Sequence, residues 1–77
     1  MAGQGIATRA VRQLVELAFQ TTQLNRLELL IAVANVPSCR VAAKVGATCE
    51  GRLRERIWCN GRFQDARVFS ILRADWS

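Results

Sequence analysis

From residue 5 to residue 20, apolar side chains recur at steps of three and four through Ile6, Ala10, Leu14, Leu17 and Ala18, with Val11, Val15 and Phe19 widening the stripe. Arg9, Arg12, Gln13 and Glu16 fall elsewhere. That period predicts an amphipathic helix over residues 5–20. Thr21, Thr22, Gln23 and Asn25 break the pattern. Residues 27–33, Leu-Glu-Leu-Leu-Ile-Ala-Val, are then short and almost continuously apolar, the pattern of a strand buried on both faces. Asn35-Val36-Pro37-Ser38 supplies turn formers and a proline suited to a first helical turn, so a short helix is predicted over residues 39–45, stopped by Gly46.

The remainder reads as a hairpin. Residues 48–58 and 62–73 flank Asn60-Gly61, the pair that a type I′ turn prefers. A two-residue loop there sets Cys59 opposite Arg62, Trp58 opposite Phe63 and Arg56 opposite Asp65. The aromatic pair and the charge pair are each worth about 0.2–1 kcal/mol. The same register sets Arg54 against Arg67, a like-charge contact that an anion, solvent or a bulge has to relieve. The order helix, strand, helix, strand, strand is that of an α+β fold, and one side of the 27–33 strand has no obvious neighbour. A further strand is expected there, from outside these elements or from another chain.

Composition narrows the class. Seventy-seven residues make one small domain, read here as a single continuous unit over residues 1–77 with no linker and no internal repeat. Half of the residues are apolar, so the chain can build a core. Ten arginines and one lysine against six acids give a net charge of +5, which favours an anionic partner such as phosphate, nucleic acid or an acidic peptide. Histidine is absent, which removes Ser/His and Cys/His catalytic pairs and the commonest metal ligand; no metal is expected. Cys39, Cys49 and Cys59 are odd in number and contain no C-x-x-C, so they read as reduced thiols, fitting a cytoplasmic setting. No apolar run reaches the roughly 20 residues of a membrane span, and residues 1–5 lack signal-peptide features.

Gly3-Gln4-Gly5-Ile6-Ala7 puts two glycines where the first helix begins, so backbone N–H groups can face a ligand with the helix dipole behind them. That is the chemistry of a phosphate cradle; flexible glycines near a chain start are the plainer explanation. Arg9 and Arg12 either add charge to the cradle or form a solvated helix face.

These segments, taken in order, resemble the C-terminal half of the GCN5-related N-acetyltransferases (GNAT), in the ribosomal-protein N-terminal acetyltransferase (RimJ/RimL-like) branch. The resemblance is carried by Gly3-Gln4-Gly5-Ile6-Ala7-Thr8 leading a helix that ends in Ala18-Phe19, Asn25-Arg26-Leu27-Glu28, Asn35-Val36-Pro37-Ser38 and Lys44-Val45-Gly46. It continues through Glu50-Gly51-Arg52-Leu53-Arg54, Asn60-Gly61-Arg62-Phe63-Gln64-Asp65 and Phe69-Ser70-Ile71-Leu72.

The resemblance implies the acyl-CoA N-acyltransferase fold and acetyl-coenzyme A as cofactor, its pyrophosphate on the amides of Gln4, Gly5, Ile6 and Ala7. It also implies that Asn35 hydrogen-bonds the pantetheine arm and that Ser38 lies near the thioester sulfur, as the candidate catalytic donor. Locally, Asn35 or Ser38 reads as a helix cap. The tyrosine that many members use as general acid has Ala42 at its position, and the chain holds no tyrosine. The usual opening Arg or Gln of the pyrophosphate motif falls at Ala2, and the Gly-Phe that commonly ends the second helix is Gly46-Ala47. Glu50 and Glu55 are candidate bases or exposed strand charges. The strand that holds the acetyl carbonyl in the family has no counterpart in the sequence, so weak or absent activity of the chain alone is expected, with the amine substrate undetermined. A homodimer or higher homo-oligomer is expected through the 27–33 strand or the first helix. An alternative is a basic and aromatic hairpin, Arg52, Arg54, Arg56, Trp58, Arg62, Phe63, Arg67 and Phe69, that binds nucleic acid.

Overall fold

The computed structural model describes residues 4–76; Gly3, the first residue of the expected cradle, lies outside them. Helix α1 (Gln4–Thr21), strand β1 (Arg26–Ala32), helix α2 (Val36–Val45) and strands β2 (Thr48–Cys59) and β3 (Arg62–Leu72) follow in the predicted order, closed by a 3-10 turn at Arg73–Asp75. The strands form one antiparallel sheet in the order β1-β3-β2. No helix is long and apolar enough to cross a membrane among the described residues.

Local chemistry sets the joints. Asn35 caps α2, its Oδ1 accepting the Ser38 N–H at 3.3 Å, and Pro37 occupies the first turn where its missing N–H costs nothing. Gly46 ends α2 at φ +99°, left-handed backbone that an L side chain resists. Asn60 and Gly61, at φ +55° and +78°, make the two-residue hairpin turn.

One face of the sheet carries the core, in which Val15 and Phe19 of α1 and Val45 of α2 meet Ile71 of β3, with Val11, Leu27, Val41 and Trp76 packed around them. The helical stripe is thus narrower than its apolar residues suggest. Ile6, Leu14 and Leu17 remain 75%, 65% and 55% exposed, because the face that meets the sheet runs through Val11, Val15 and Phe19. Nor is β1 buried on both faces. Its residue Leu30, opposite Val68 on the face without helices, is 39% exposed, and β1 pairs with β3 alone among the described residues.

The hairpin register holds only near the turn. Cys59 faces Arg62 and Trp58 faces Phe63, but a bulge between Leu53 and Ile57 shifts the ladder, so Arg52 rather than Arg54 opposes Arg67, and Arg56 is not Asp65's partner. The bulge puts Glu55 at φ +50°; its N–H donates to Asp65 Oδ1 at 2.9 Å while Arg52 Nε reaches Oδ2 at 2.8 Å. These two contacts hold the Asp65 carboxyl below its usual range. The Arg52–Arg67 repulsion is offset by a carboxylate from within the chain.

A second bulge sets Glu50 out of register between Cys49 and Gly51. Its carboxylate accepts hydrogen bonds from Arg26 of β1 and, at 2.7 Å, from the buried Ser70 of β3, tying all three strands together. Arg26 also pairs with Glu28. The hydrogen bond from Arg26, then that from Ser70, pulls Glu50 from about 4.5 down to about 2.

Two arginines from elsewhere in the chain bond carbonyls at the helix C-termini. The last turn of α1 has no basic residue, yet Arg73 donates to the carbonyls of Phe19, Thr22 and Leu24 at 2.7–2.8 Å and lies 5.1 Å from the centre of the Phe19 ring. Arg12 does the same for α2 at the Lys44 carbonyl, 3.0 Å away.

Replacing Arg73 with methionine strands these carbonyls, and the expected loss is about 2 kcal/mol, or roughly 10 °C in Tm by thermal circular dichroism. An unchanged Tm would contradict the clamp. Since the fold favours ionised Glu50, its contribution is complete above about pH 4.5 and is lost as pH falls toward 2. Glu50→Gln is therefore expected to flatten the fall of Tm across that window, leaving the part due to Asp65; an acid slope equal to that of the unsubstituted chain would refute the tie.

Candidate functional site

The C-terminal half of α1 is anchored, with Val15 and Phe19 in the core and Arg73 across its end. Its N-terminal half borders a cleft of about 430 Å³ shared with α2 and β1. The walls are Ala7 and Val11 from α1, Glu28 to Ile31 from β1, of which Leu29 and Ile31 lie on the helix face, and Ser38, Val41 and Ala42 from α2. They are mostly apolar, with one hydroxyl, that of Ser38, supplied by a side chain of α2. This suits an extended, mainly apolar group reaching toward a small polar centre.

The predicted site residues divide into three sets. Gln4, Gly5, Ile6 and Ala7 form the first turn of α1, whose leading N–H groups have no carbonyl of their own helix to bond. Gly5 is thus a helical residue rather than a link before the helix. It is exposed, and a Cβ added there would meet nothing within 4 Å, so the amides are open to an approaching anion. Of the four, Ala7 also lines the cleft.

Ser38 lines the cleft as well, and its hydroxyl makes no hydrogen bond among the described residues. Asn35 does not line it; its Oδ1 is spent on the α2 cap, while its amide nitrogen is unbonded among the described residues. Ala42, at the position expected for a tyrosine, is buried in the cleft wall, so no phenol reaches the centre from there.

The candidate bases fare differently. Glu50 is engaged with Arg26 and Ser70 on the sheet, and a carboxylate whose pKa is about 2 is a feeble proton acceptor at neutral pH. Glu55 sits exposed at the bulge, away from the cleft lining. Arg12 serves the α2 terminus instead of the cradle, and Arg9 is exposed.

The apolar walls, Val11, Leu29, Ile31 and Val41, were not foreseen as site residues, since each reads as core in a one-dimensional pattern. Beside Ala7, the Thr8 hydroxyl is buried without a partner. Only its place one residue after the Gly-x-Gly-x-Ala run marked it. Cys39, Cys49 and Cys59 are free thiols, and no group of three metal-ligating side chains forms among the described residues.

The family described as acetyltransferase (GNAT) domain matches residues 1–48, from the cradle through α2 to the start of β2. The Bacillus subtilis protein YdaF, a ribosomal N-acetyltransferase by name, is 36% identical over 74 residues, 96% of this chain and 40% of its own length. The spermidine N(1)-acetyltransferase of Vibrio cholerae is 28% identical over 96% of this chain and 43% of its own. Among solved structures, Mycobacterium smegmatis RimJ in complex with CoA-disulfide superposes with a TM-score of 0.90 at 32% identity, covering 97% of this chain and 36% of that one. The chain therefore spans about two fifths of the length of the curated relatives it matches. The fold class, the helix-led cleft and the family match agree, and the chain belongs to the GNAT acetyltransferase family.

Proposed function

We propose that this chain is the coenzyme-binding second half of an N-acetyltransferase domain, one continuous unit that takes acetyl-coenzyme A in the cleft between α1, α2 and β1. The observation that carries the reading is the cleft, which has the open first turn of α1 on one wall and an unbonded serine hydroxyl on the other. Bound there, acetyl-coenzyme A supplies a thioester whose acetyl group goes to a neutral amine, either a protein N-terminus or a small-molecule amine. The amides of Gln4, Gly5, Ile6 and Ala7 hold the pyrophosphate. Leu29, Ile31 and Val41 would exclude water along the arm, and the Asn35 amide nitrogen would bond its polar atoms. Ser38 would give the departing sulfur its proton and recover one from the nitrogen that becomes the amide, so that the serine ends as it began. With no phenol or imidazole beside it, Ser38 is a weak donor, so turnover by the chain alone is low. A cofactor of cell metabolism and three free thiols both suit the cytoplasm.

Assembly is part of the same reading. The free edge of β1 and the exposed Ile6, Leu14 and Leu17 on α1 are covered by a second copy of the chain. Sedimentation equilibrium at micromolar concentration is expected to give at least twice the mass of one chain, and Leu14→Gln with Leu17→Gln to shift it toward the monomer. A stable, soluble monomer of the unsubstituted chain would rule this assembly out.

Calorimetric titration with coenzyme A tests the cofactor site. Gly5→Val crowds the amides without touching the core and should weaken binding about fivefold or more. Ser38→Ala should leave affinity within about twofold while removing whatever turnover is detectable, because the hydroxyl serves the sulfur as its bond to the acetyl group breaks and adds little to ground-state binding. No heat of binding at millimolar coenzyme A would refute the site.

A further inference from the structure

The hairpin turn stands apart from the cleft, on the two strands farthest from α1 in sequence, and nothing in the proposed acetyl chemistry uses it. Its aromatic pair is costly to leave in water. Trp58 is 63% exposed and Phe63 58%, and they meet edge to face with ring centres 4.9 Å apart, outside the core. Each ring steadies the other, which makes a preorganised stacking surface. The charge around it is lopsided: residues 52–67 hold five arginines against Glu55 and Asp65. Across the chain, Arg12, Arg26, Arg52 and Arg73 are spent on carbonyls and carboxylates. Of the six arginines that make no hydrogen bond or ion pair among the described residues, four, Arg54, Arg56, Arg62 and Arg67, lie on this hairpin.

We propose that the β2–β3 hairpin is a binding surface for single-stranded nucleic acid, with Arg54 and Arg56 on phosphates and the Trp58–Phe63 pair stacking on bases; Arg62, paired with Cys59, lies on the opposite face of the strands and takes no part. Guanidinium groups without internal partners release counterions on meeting phosphates, and exposed rings accept any unpaired base. An acidic peptide would satisfy the arginines and leave the rings wet. A duplex keeps its bases stacked away from them. A second copy of the same tip would bring like charges together.

Fluorescence anisotropy of a labelled 12-nucleotide oligouridylate tests this directly on the full chain. Binding is expected at 50 mM salt, weakening about sevenfold at 200 mM if two phosphates are neutralised at a slope near 0.7 per contact. Trp58→Ala should lower affinity at least about fivefold with a Tm lowered by no more than a few degrees, for the lost ring pair, and with an unchanged coenzyme A titration. Arg54→Gln with Arg56→Gln should lower affinity further and flatten the salt dependence. Three results would overturn the proposal: no binding at 50 mM salt, full affinity in the Trp58→Ala chain, or a decaglutamate that competes as well as unlabelled oligouridylate. Because coenzyme A binding is read separately, failure here leaves the acetyltransferase reading standing, and the reverse holds too.

Discussion

The position of α1 rests on the three carbonyl contacts of Arg73. A helix that ends in Thr-Thr with no basic residue in its last turn leaves carbonyls for which something must be found. Thr21 and Thr22 hydroxyls take those of Leu17 and Ala18, and the guanidinium from the far end of β3 takes those of Phe19 and Thr22. This contact spans more than fifty residues of sequence, so it joins the first element to the last. It fixes the C-terminal end of α1 over Ile71 and Trp76, while the N-terminal end borders open space. The cleft lies beside the N-terminal half of α1, beyond the contacts that Val15, Phe19 and Arg73 make at the other end.

Arginine does most of the electrostatic joining here, and its roles sort by whether a partner exists within the chain. Where a carbonyl or carboxylate is within reach, the planar fork makes several bonds at once, as Arg26 does with Glu28 and Glu50. A lysine could not bridge two carboxylates with the same directionality. The surplus on the hairpin has no such structural duty. A net charge of +5 is thus unevenly distributed, and the excess gathers beside the most exposed aromatic rings.

Much of the fold was legible in the sequence. The helical period, Pro37, Gly46 and Asn60-Gly61 are local signals with local causes, and each element formed where they pointed. What the sequence hid is nonlocal. A period cannot choose between the Ile6-Leu14-Leu17 side of the stripe and the Val11-Val15-Phe19 side, since both repeat at helical spacing and only the packed sheet decides. The bulge at Glu55 obeys the Asp65 carboxylate rather than any turn residue, so simple counting from Asn60-Gly61 fails beyond Ile57. Ser38 was singled out through its segment, and it lines the cleft. The cleft walls were not, because Leu29 and Ile31 look alike whether they face a core or a ligand.

Amide chemical shifts of the uniformly ¹⁵N-labelled chain during a coenzyme A titration test the central claim most directly. The account predicts the largest changes at Gln4 to Ala7, Leu29 to Ile31 and Ser38, with Phe19, Thr22 and Arg73 still, because the anchored end of α1 does not move when the open end is filled. Changes confined to the hairpin around Trp58 and Phe63, or spread evenly through α1 and the Arg73 contacts, would contradict it.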